Sequence, residues 1–415
     1  MSTEVENTIT VSSATELMDA LASAQGGETI LLEAGSYGEL DLYDARDAFV
    51  KFASEVTIKS ADPDNLASFD RMSLSGVENL TFDTINFDYD AAPGTAEHDK
   101  PFMVRDSDSV TIRNSIFDGD LAEDVSETAD GFGTGHGLTV TDGSTNITVE
   151  NNEFYHWLRA AVYSETDNLT VAGNDVHSVR SDGFDFSDVN NVLIERNYLH
   201  DFMGAEGTSD HMDMIQFWTS GTSSPSTNIT IRENVLDSGE GEGTQSIFMR
   251  NEVVDSHDGG LDMFYRDIVI ENNVIHNAHT HGITVGETVG LTVRNNTILH
   301  NADSGNESLV NVPTIRVKDA SEDVLIADNI LPRLNLETAL DRIVENNLIV
   351  QQDNPDGDNY VGDLFVDGLA GSLATLDDLK ALPNGLVDQL GVGSSLTRFD
   401  TTPEDLTGYV TSDAA

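Results

Sequence analysis

The sequence has no cysteine and few basic residues among its 415 positions. The absence of cysteine excludes disulfide bridges, thiolate metal sites and a cysteine nucleophile. Lysine and arginine number 20 against 74 aspartate and glutamate residues, which gives a formal net charge of −54. A field of this sign repels nucleic acids and anionic membranes, so neither is expected as a partner. A salt-adapted surface would explain most of the charge. The carboxylates also supply oxygen ligands for Ca²⁺, the one cofactor that we expect.

Long apolar runs are also missing. No stretch approaches the length of a membrane span, so insertion into a membrane is not expected. The start, MSTEVENTITVSSATELMDALASA, has neither a basic region nor an apolar core, so no signal peptide is predicted. This leaves open a cytoplasmic location, export by a route without an N-terminal signal, and removal of a leader.

A short pattern recurs through the middle of the chain. It is an alternating strand followed by a turn with asparagine, as in NITVENNEF, NLTVAGNDV and NITIRENVL. The aligned asparagines are Asn152, Asn174, Asn197, Asn234, Asn273, Asn296 and Asn329, with Asn347 next in the series. A period of 22 to 23 residues with insertions is typical of a β-solenoid, in which stacked coils bury apolar faces that one coil cannot bury alone. The repeat predicts an all-β, right-handed parallel β-helix with the asparagines stacked in one turn.

The two ends of the chain differ from this repeat. Ser13 and Glu16 have capping-box spacing before apolar residues at helical intervals, which predicts an N-terminal capping helix. The segment SLATLDDLKALP predicts a helical cap at the other end. We therefore expect a cap over residues 1–27, one β-helix domain over 28–365, and a C-terminal cap and tail over 366–415.

Each coil also contains an earlier strand, and aligning these strands places polar side chains in columns. The strands are HGLTVT, RAAVYS, DGFDFS, DMIQFW, QSIFMR, HGITVG and PTIRVK, aligned on Leu138, Ala160, Phe184, Ile215, Ile247, Ile283 and Ile315. Residues of one column lie about 4.8 Å apart on neighbouring coils. Two positions before the aligned residue, the column contains Asp182, Asp213, Gln245, His281 and Pro313.

These columns predict a groove for a polymer that carries carboxylates or sulfates. The predicted groove residues are His211, His279, His281, Asp182, Asp185, Asp213, Arg180, Arg250, Arg316 and Lys318, with Tyr163 and Trp218 at the edge where rings can stack on sugars. We interpret His211, Asp213 and His281 as the acid–base centre, with the coil of Gln245 between the last two. A metal site with the same three ligands is an alternative. The other strand histidines, His177, His200, His276 and His300, are interpreted as hydrogen-bonding between coils.

The chain resembles right-handed parallel β-helix enzymes that act on polysaccharides. SDGFD resembles the Asn-Thr-Asp-Gly motif of polygalacturonase-type hydrolases, MDMIQ their paired aspartates, HTHGITVG their Gly-His-Gly turn and IRVK their Arg-Ile-Lys substrate clamp. The resemblance implies catalytic roles for Asp182, Asp213 and His281, and substrate binding by Arg316 and Lys318. The aspartate pair is reduced to one member, so inverting hydrolysis lacks a carboxylate unless Asp185 or Asp210 substitutes.

Polysaccharide lyases and mannuronan C5-epimerases share this scaffold, and resemblance to them implies proton abstraction at C5 beside a uronate carboxylate. That step needs a cation, a base and an acid. Arg250, Arg316 and Lys318 supply the cations, His211 or His281 the base and Tyr163 the acid. The epimerases' Asp-Pro-His-Glu signature is absent. We predict a secreted bacterial enzyme, monomeric, that cleaves an anionic uronate-containing glycan as a lyase. A hydrolase, a C5-epimerase and a non-catalytic glycan-binding β-helix stay open as alternatives.

Overall fold

In a computed structural model the chain is an all-β parallel β-helix, as the repeat predicts. The structure describes residues 7–125, 129–205, 210–239, 243–301, 312–336, 342–369, 371 and 376–401. The chain divides into two compact units, Met1–Asn174 and Asp175–Ala415. In each unit a coil contributes strands to parallel sheets, which we call sheets 1, 2 and 3 of that unit. The predicted division into cap, β-helix and tail stays a prediction.

In the first unit the helix Ala14–Ser23 follows the strand Asn7–Val11, and the strands form three sheets. Sheet 1 contains Asn7–Val11, Glu28–Leu32, Lys51–Ser60, Glu78–Asp83, Asp108–Arg113, Thr145–Glu150 and Asp167–Ala172. Sheet 2 contains Glu39–Tyr43, Arg71–Ser75, Phe102–Arg105, His136–Thr141 and Arg159–Ser164. Sheet 3 contains Gly35–Ser36, Ala67–Phe69, Asn86–Asp88, Ile116–Asp118 and Glu153–Tyr155. Asp120–Leu121 and Gly133–Thr134 form a separate antiparallel pair.

The second unit repeats this arrangement. Sheet 1 contains Asn190–Glu195, Thr227–Arg232, Tyr265–Glu271, Thr288–Arg294, Glu322–Ala327 and Ile343–Glu345. Sheet 2 contains Asp182–Ser187, Asp213–Phe217, Gln245–Met249, His281–Val285, Thr314–Val317 and Arg333–Asn335. Sheet 3 contains Asp175–His177, Tyr198–His200, Val235–Asp237, Val274–Asn277, Thr297–His300, Ile330–Leu331 and Leu348–Ile349. Among the described residues of this unit, the helical segments are Glu252–Asp255 and Leu386–Leu390, with 3₁₀ turns at Leu261–Met263, Val361–Asp363, Leu376–Leu379 and Ser395–Thr397.

The asparagine ladder forms as predicted. In the second unit the Oδ1 atom of Asn234 accepts hydrogen bonds from the backbone N–H and the Nδ2 of Asn197, at 3.0 and 2.9 Å. The same contacts continue through Asn273, Asn296, Asn329 and Asn347. These side chains are buried except at the last coil. The ladder therefore supplies hydrogen-bond partners to polar groups that are shielded from water.

The backbone conformation of the turn explains which residue types precede the ladder asparagines. The preceding residue lies in the left-handed region at every step, and it is asparagine, aspartate or glycine at most coils. In two coils it is Arg196 (φ 54°) or Glu233 (φ 56°), which adopt this conformation less readily. In the first unit Ser115 takes the ladder position one coil earlier, and its N–H donates to Asn152 Oδ1 at 3.0 Å.

Both terminal segments pack onto sheet strands. Ser13 caps the first helix by accepting a hydrogen bond from Glu16 N–H, and the Glu16 carboxylate accepts from Ser12 N–H rather than closing the box on Ser13. In the tail, the start of the predicted helix (residues 372–375) lies outside the described residues. Buried side chains that follow the last strand form one apolar cluster with side chains of sheet 3. The cluster contains Val361, Leu364, Phe365, Leu379, Val387, Val392 and Leu396 from the end of the chain, and Val235, Val274, Leu299, Ile330 and Leu348 from the coils. The tail therefore covers one side of several successive coils.

Candidate functional site

The strands of sheet 2 in the second unit place the predicted groove residues in register. Phe184, Ile215, Ile247, Ile283 and Ile315 pair in succession, as the sequence alignment predicts. The residues that follow them form the next column: Asp185, Gln216, Phe248, Thr284 and Arg316. One pairing differs, because an irregularity between His281 and Ile283 sets His281 opposite Thr314 instead of Pro313.

The centre of this surface is a histidine–aspartate pair. His211 Nδ1 lies 2.7 Å from Asp213 Oδ2, and a carboxylate in this position accepts the Nδ1 proton and orients the ring. The His211 side chain is 59% exposed, whereas the Asp213 side chain is 0% exposed. The imidazole is therefore accessible to solvent, while its orienting carboxylate is shielded from water.

Two neighbours hold the Asp213 carboxylate and backbone. Gln216 Nε2 donates to Asp213 Oδ2 at 2.5 Å, and the Asp213 backbone N–H donates to Asp182 Oδ1 at 3.2 Å. Asp182 is itself fully buried one coil earlier. Sequence analysis did not assign Gln216 to the site. A polar residue on a buried strand, three positions after Asp213, was the available signal.

The segment before the strand is tethered by the coil that precedes it. Arg180, only 3% exposed, donates from Nε and Nη2 to Asp210 Oδ2 at 3.0 and 2.7 Å. The Ser181 hydroxyl donates to the His211 carbonyl oxygen at 3.1 Å. These contacts fix the backbone that presents the imidazole. They explain Arg180 as a positioning residue, although sequence analysis placed it among the substrate ligands.

His281, the third residue of the predicted centre, lies apart from the pair. Asp213 pairs with Gln245, and the strand of Gln245 pairs with that of His281, so two coil steps of about 4.8 Å each separate them. His281 Nδ1 lies 2.7 Å from the Thr284 hydroxyl, and its ring packs edge-on against Phe248. Burial, followed by the charges of His279 and Arg316, lowers the pKa of His281 to about 4. Burial also lowers the pKa of His279.

Two of the predicted cations, Arg250 and Lys318, each follow the end of a sheet 2 strand and contact the same carboxylate. Trp218 is half-buried and follows Phe217, whose strand partner Met249 precedes Arg250. Arg250 Nε lies 3.2 Å from Asp255 Oδ2, and Lys318 Nζ lies 2.9 Å from Asp255 Oδ1. Although burial opposes it, hydrogen bonds from Lys318 and Arg250 lower the pKa of Asp255. One carboxylate thus contacts both cations.

The predicted place of Tyr163 at the groove edge is wrong. Tyr163 pairs with Val140, and the aligned Leu138 pairs with Ala161 instead of Ala160, so the sequence alignment slipped by one residue in this coil. A slip of one turns a side chain to the opposite face. Tyr163 is fully buried in the first unit, and burial raises the pKa of its hydroxyl far above the usual value. It does not offer a proton at a surface.

The carboxylates and the imidazole also meet the geometry of a metal site. Single ligand atoms of Asp182, His211 and Asp213 all lie within 4.8 Å of one another. This set replaces His281 of the predicted alternative with Asp182. Ca²⁺ takes six to eight oxygen ligands, whereas an imidazole with two carboxylates suits a first-row transition ion. The cluster does not fit Ca²⁺, and the expectation of Ca²⁺ elsewhere in the protein stays a prediction.

Comparisons with known proteins agree on the fold. Residues 72–246 match the family model described as "Right handed beta helix region". Solved structures that match include polysaccharide lyases and epimerases, together with a surface adhesin and a tailspike protein. No curated protein matches the sequence. No helix of the described residues is long and apolar enough to span a membrane.

Three solved structures illustrate how distant the likeness is. A surface adhesin of Streptococcus pneumoniae is 13% identical with a TM-score of 0.49, and the match covers 83% of this chain and 92% of that one. A PL6 family polysaccharide lyase from Pseudopedobacter saltans is 12% identical with a TM-score of 0.48, covering 84% and 94%. The A-module of a mannuronan C-5 epimerase from Azotobacter vinelandii is 14% identical with a TM-score of 0.49, covering 81% and 94%. Likenesses of this size assign no activity.

Proposed function

We propose that the second unit cleaves an anionic, uronate-containing polysaccharide by β-elimination, with His211 as the base that removes the C5 proton. The observation that supports this is the contrast within the pair: an imidazole 59% exposed on a carboxylate 0% exposed, joined at 2.7 Å. A buried carboxylate on Nδ1 orients the ring and stabilises the imidazolium that forms when the base accepts a proton.

The elimination balances with this one base. Nε2 of His211 takes the C5 proton, the electron pair of that C–H bond forms the C4–C5 double bond, and the C4–O bond breaks. The leaving glycosidic oxygen keeps the electrons of that bond and takes a proton from the imidazolium or from water. No oxidant or further reactant is needed. The C5 proton is acidic only if the adjoining carboxylate is neutralised, which requires a cation near the base.

The structure offers positive charge for that purpose in the same unit. Arg316 lies close enough to His281 to lower the pKa of that histidine, and Arg250 with Lys318 outnumbers the single Asp255 between them. Such sites are uncommon in a chain of net charge −54. Electrostatic attraction of a polyanion to them would weaken as salt screens the charges.

Hydrolysis is the weaker candidate for a geometric reason. It requires an acid and a second carboxylate that both reach the sugar. Asp182, Asp185 and Asp213 are each 0% exposed, and Asp213 already binds His211 and Gln216. They support the base instead of flanking a glycosidic bond. Action on a polysaccharide also agrees with a location outside the cytoplasm, which stays part of the proposal.

The deciding experiment supplies alginate, polygalacturonate, a glycosaminoglycan and a neutral glucan to the full chain. Ultraviolet absorbance reports the unsaturated ends that elimination creates, and a reducing-end assay counts all breaks. We expect both signals to rise together on an anionic polymer and neither to rise on the glucan. Reducing ends without absorbance would replace the lyase with a hydrolase. Inversion of the configuration at C5 without chain cleavage would indicate an epimerase. Binding of the polymer without any reaction would contradict the assignment of an enzyme.

A further inference from the structure

Two carboxylates and one imidazole meet where two neighbouring strands of sheet 2 begin in the second unit. Single ligand atoms of Asp182, His211 and Asp213 all lie within 4.8 Å of one another. Bonds of about 2.1 Å to an ion place its neighbouring ligand atoms about 3 to 3.5 Å apart. His211 Nδ1 and Asp213 Oδ2, at 2.7 Å, are close to that spacing. The three ligand atoms thus span little more than the space around one ion.

The burial of the three side chains gives an ion a way in and a fixed place to stop. Asp182 and Asp213 are each 0% exposed, and the Asp213 N–H donates to Asp182 Oδ1 at 3.2 Å across neighbouring coils. The His211 side chain is 59% exposed. An ion can therefore arrive from solvent at the imidazole and meet oxygens whose positions the strands already fix. Two ionised carboxylates carry the charge that balances a divalent cation, and buried charges in proteins are paired or bind metals.

A fourth polar side chain lies beside this set. Gln245 begins the next strand of sheet 2 and pairs with Asp213, and paired residues of parallel strands point to the same face. Gln245 is 8% exposed, and its Oε1 is buried without a hydrogen-bond partner among the residues that the structure describes. Buried acceptors in proteins almost always have a partner, because burial without one is costly. An ion next to Asp213 would give this amide oxygen a partner.

We propose that Asp182, His211 and Asp213 bind a divalent first-row transition ion, with the amide oxygen of Gln245 as a fourth ligand. One nitrogen and three oxygens suit ions such as Ni²⁺ and Mn²⁺, whereas Ca²⁺ takes six to eight oxygens. Affinity at a site of nitrogen and oxygen ligands rises from Mn²⁺ to Ni²⁺ along the first row. We therefore expect Ni²⁺ to bind more tightly than Mn²⁺, and Ca²⁺ to bind poorly.

A bound ion would also regulate the chemistry of the pair, a consequence that rests on the proposed elimination. A divalent charge on the imidazole opposes its protonation, so a metal-bound His211 could not accept the C5 proton. Bound Ni²⁺ should therefore slow the formation of unsaturated ends at least about tenfold, within the range for loss of a general base. Removal of the ion with a chelator should restore the rate.

The test titrates the full chain with Ni²⁺, Mn²⁺ and Ca²⁺ by calorimetry, after treatment with a chelator and in excess Mg²⁺ to occupy exposed carboxylates. We expect one tightly bound Ni²⁺ per chain, which Ca²⁺ does not displace. His211→Asn, on an exposed side chain, and Asp182→Asn, which keeps an acceptor for the Asp213 N–H, should each weaken Ni²⁺ binding at least about tenfold. Gln245→Leu should weaken it about tenfold.

A matched control is His257→Asn. It removes an exposed imidazole of the same unit, outside the set of ligands, and should change Ni²⁺ affinity less than about twofold. Equal losses in the His257→Asn and His211→Asn variants would show that Ni²⁺ binds to surface histidines at large, which overturns the proposal.

The remaining outcomes separate the metal site from the elimination. No tight Ni²⁺ binding, displacement of Ni²⁺ by Ca²⁺, or unchanged affinity in the His211→Asn and Asp182→Asn variants would each overturn the site, whether or not the chain cleaves a polymer. Tight Ni²⁺ binding that leaves unsaturated-end formation unchanged would support the site and contradict His211 as the base. Tight binding by a chain that cleaves no polymer would support the site and refute only the elimination.

Discussion

Two histidine–aspartate pairs in the second unit have nearly the same bond and opposite surroundings. His211 Nδ1 lies 2.7 Å from Asp213, and His276 Nδ1 lies 3.0 Å from Asp237. The ring of His211 is 59% exposed, whereas His276 is 0% exposed and its aspartate 4%. The hydrogen bond alone therefore does not distinguish a candidate base from a structural contact. The exposure of the imidazole side chain does.

The position of each pair on its coil accounts for the difference. His276 belongs to a strand of sheet 3 and stands opposite Asp237 on the neighbouring strand, so the bond ties two coils together. His211 precedes its strand and bonds to a residue two positions along the same chain. A contact between coils stabilises the stack, whereas a local contact before a strand aims one side chain.

The largest expected effect comes from breaking the exposed pair. His211→Asn should lower the rate of unsaturated-end formation at least about a hundredfold, the usual scale for loss of a general base. His276→Asn should leave the rate per folded molecule within about twofold, because the buried ring has no path to a substrate. Initial absorbance rates at saturating substrate measure both. A His211→Asn enzyme with near-normal turnover would move the search for the base to His281.

The second expected effect is on stability, and here His276→Asn should be the more damaging of the two variants. His276→Asn removes one hydrogen-bond partner of the buried Asp237 carboxylate and should lower the free energy of unfolding by about 1–3 kcal/mol. His211→Asn, on an exposed side chain, should change it by less than about 0.5 kcal/mol. Urea unfolding followed by circular dichroism provides both values. Equal losses in the two variants would show that exposure does not separate their roles.

The smallest expected effect concerns a third pair and its pH dependence. Burial lowers the pKa of His200, but hydrogen bonds to Asp175 and Asp201 outweigh it and raise the pKa to about 9. Since the unfolded value is near 6.5, the contribution to stability is full below about pH 6.5 and is lost as the pH rises through about 9. The advantage of wild type over His200→Asn should shrink by about 1–2 kcal/mol between pH 6 and pH 9.5.

Urea unfolding of both proteins across that range isolates the effect, because titrations common to both cancel in the difference. A constant difference would mean that His200 stays neutral in the folded protein. The contacts of His200 with the two aspartates would then be ordinary hydrogen bonds.

The fold could be predicted because equivalent positions in successive coils have the same structural role. Every ladder asparagine satisfies the same buried turn, so one residue type recurs at a fixed offset from its strand. The coil of Ser115 escaped notice because a serine hydroxyl can take the same place. The sequence alignment was off by one residue in RAAVYS for a physical reason. Ala160 and Ala161 are both small and both buried, so neither size nor polarity marks which one faces the core.

The candidate site was less predictable because its positions differ from coil to coil. Column spacing placed Asp182 beside Asp213 and predicted the intervening coil of Gln245, as observed. It did not show that Asp255 would pair with both Arg250 and Lys318, since Asp255 lies in a short helix outside the repeat. Exposure, which separates His211 from His276, leaves no signal in strand periodicity.

The asparagine ladder has an evolutionary consequence. Its members in the second unit are 37, 39, 23, 33 and 18 residues apart, yet each joint is made by the same pair of amide contacts. A whole coil can therefore be duplicated or deleted in frame while the joints on either side stay compatible. Deletion of the coil that carries Gln245 would set His281 directly beside Asp213. The groove could then acquire a new set of neighbouring side chains by a change in gene length alone, with no point mutation in any of them.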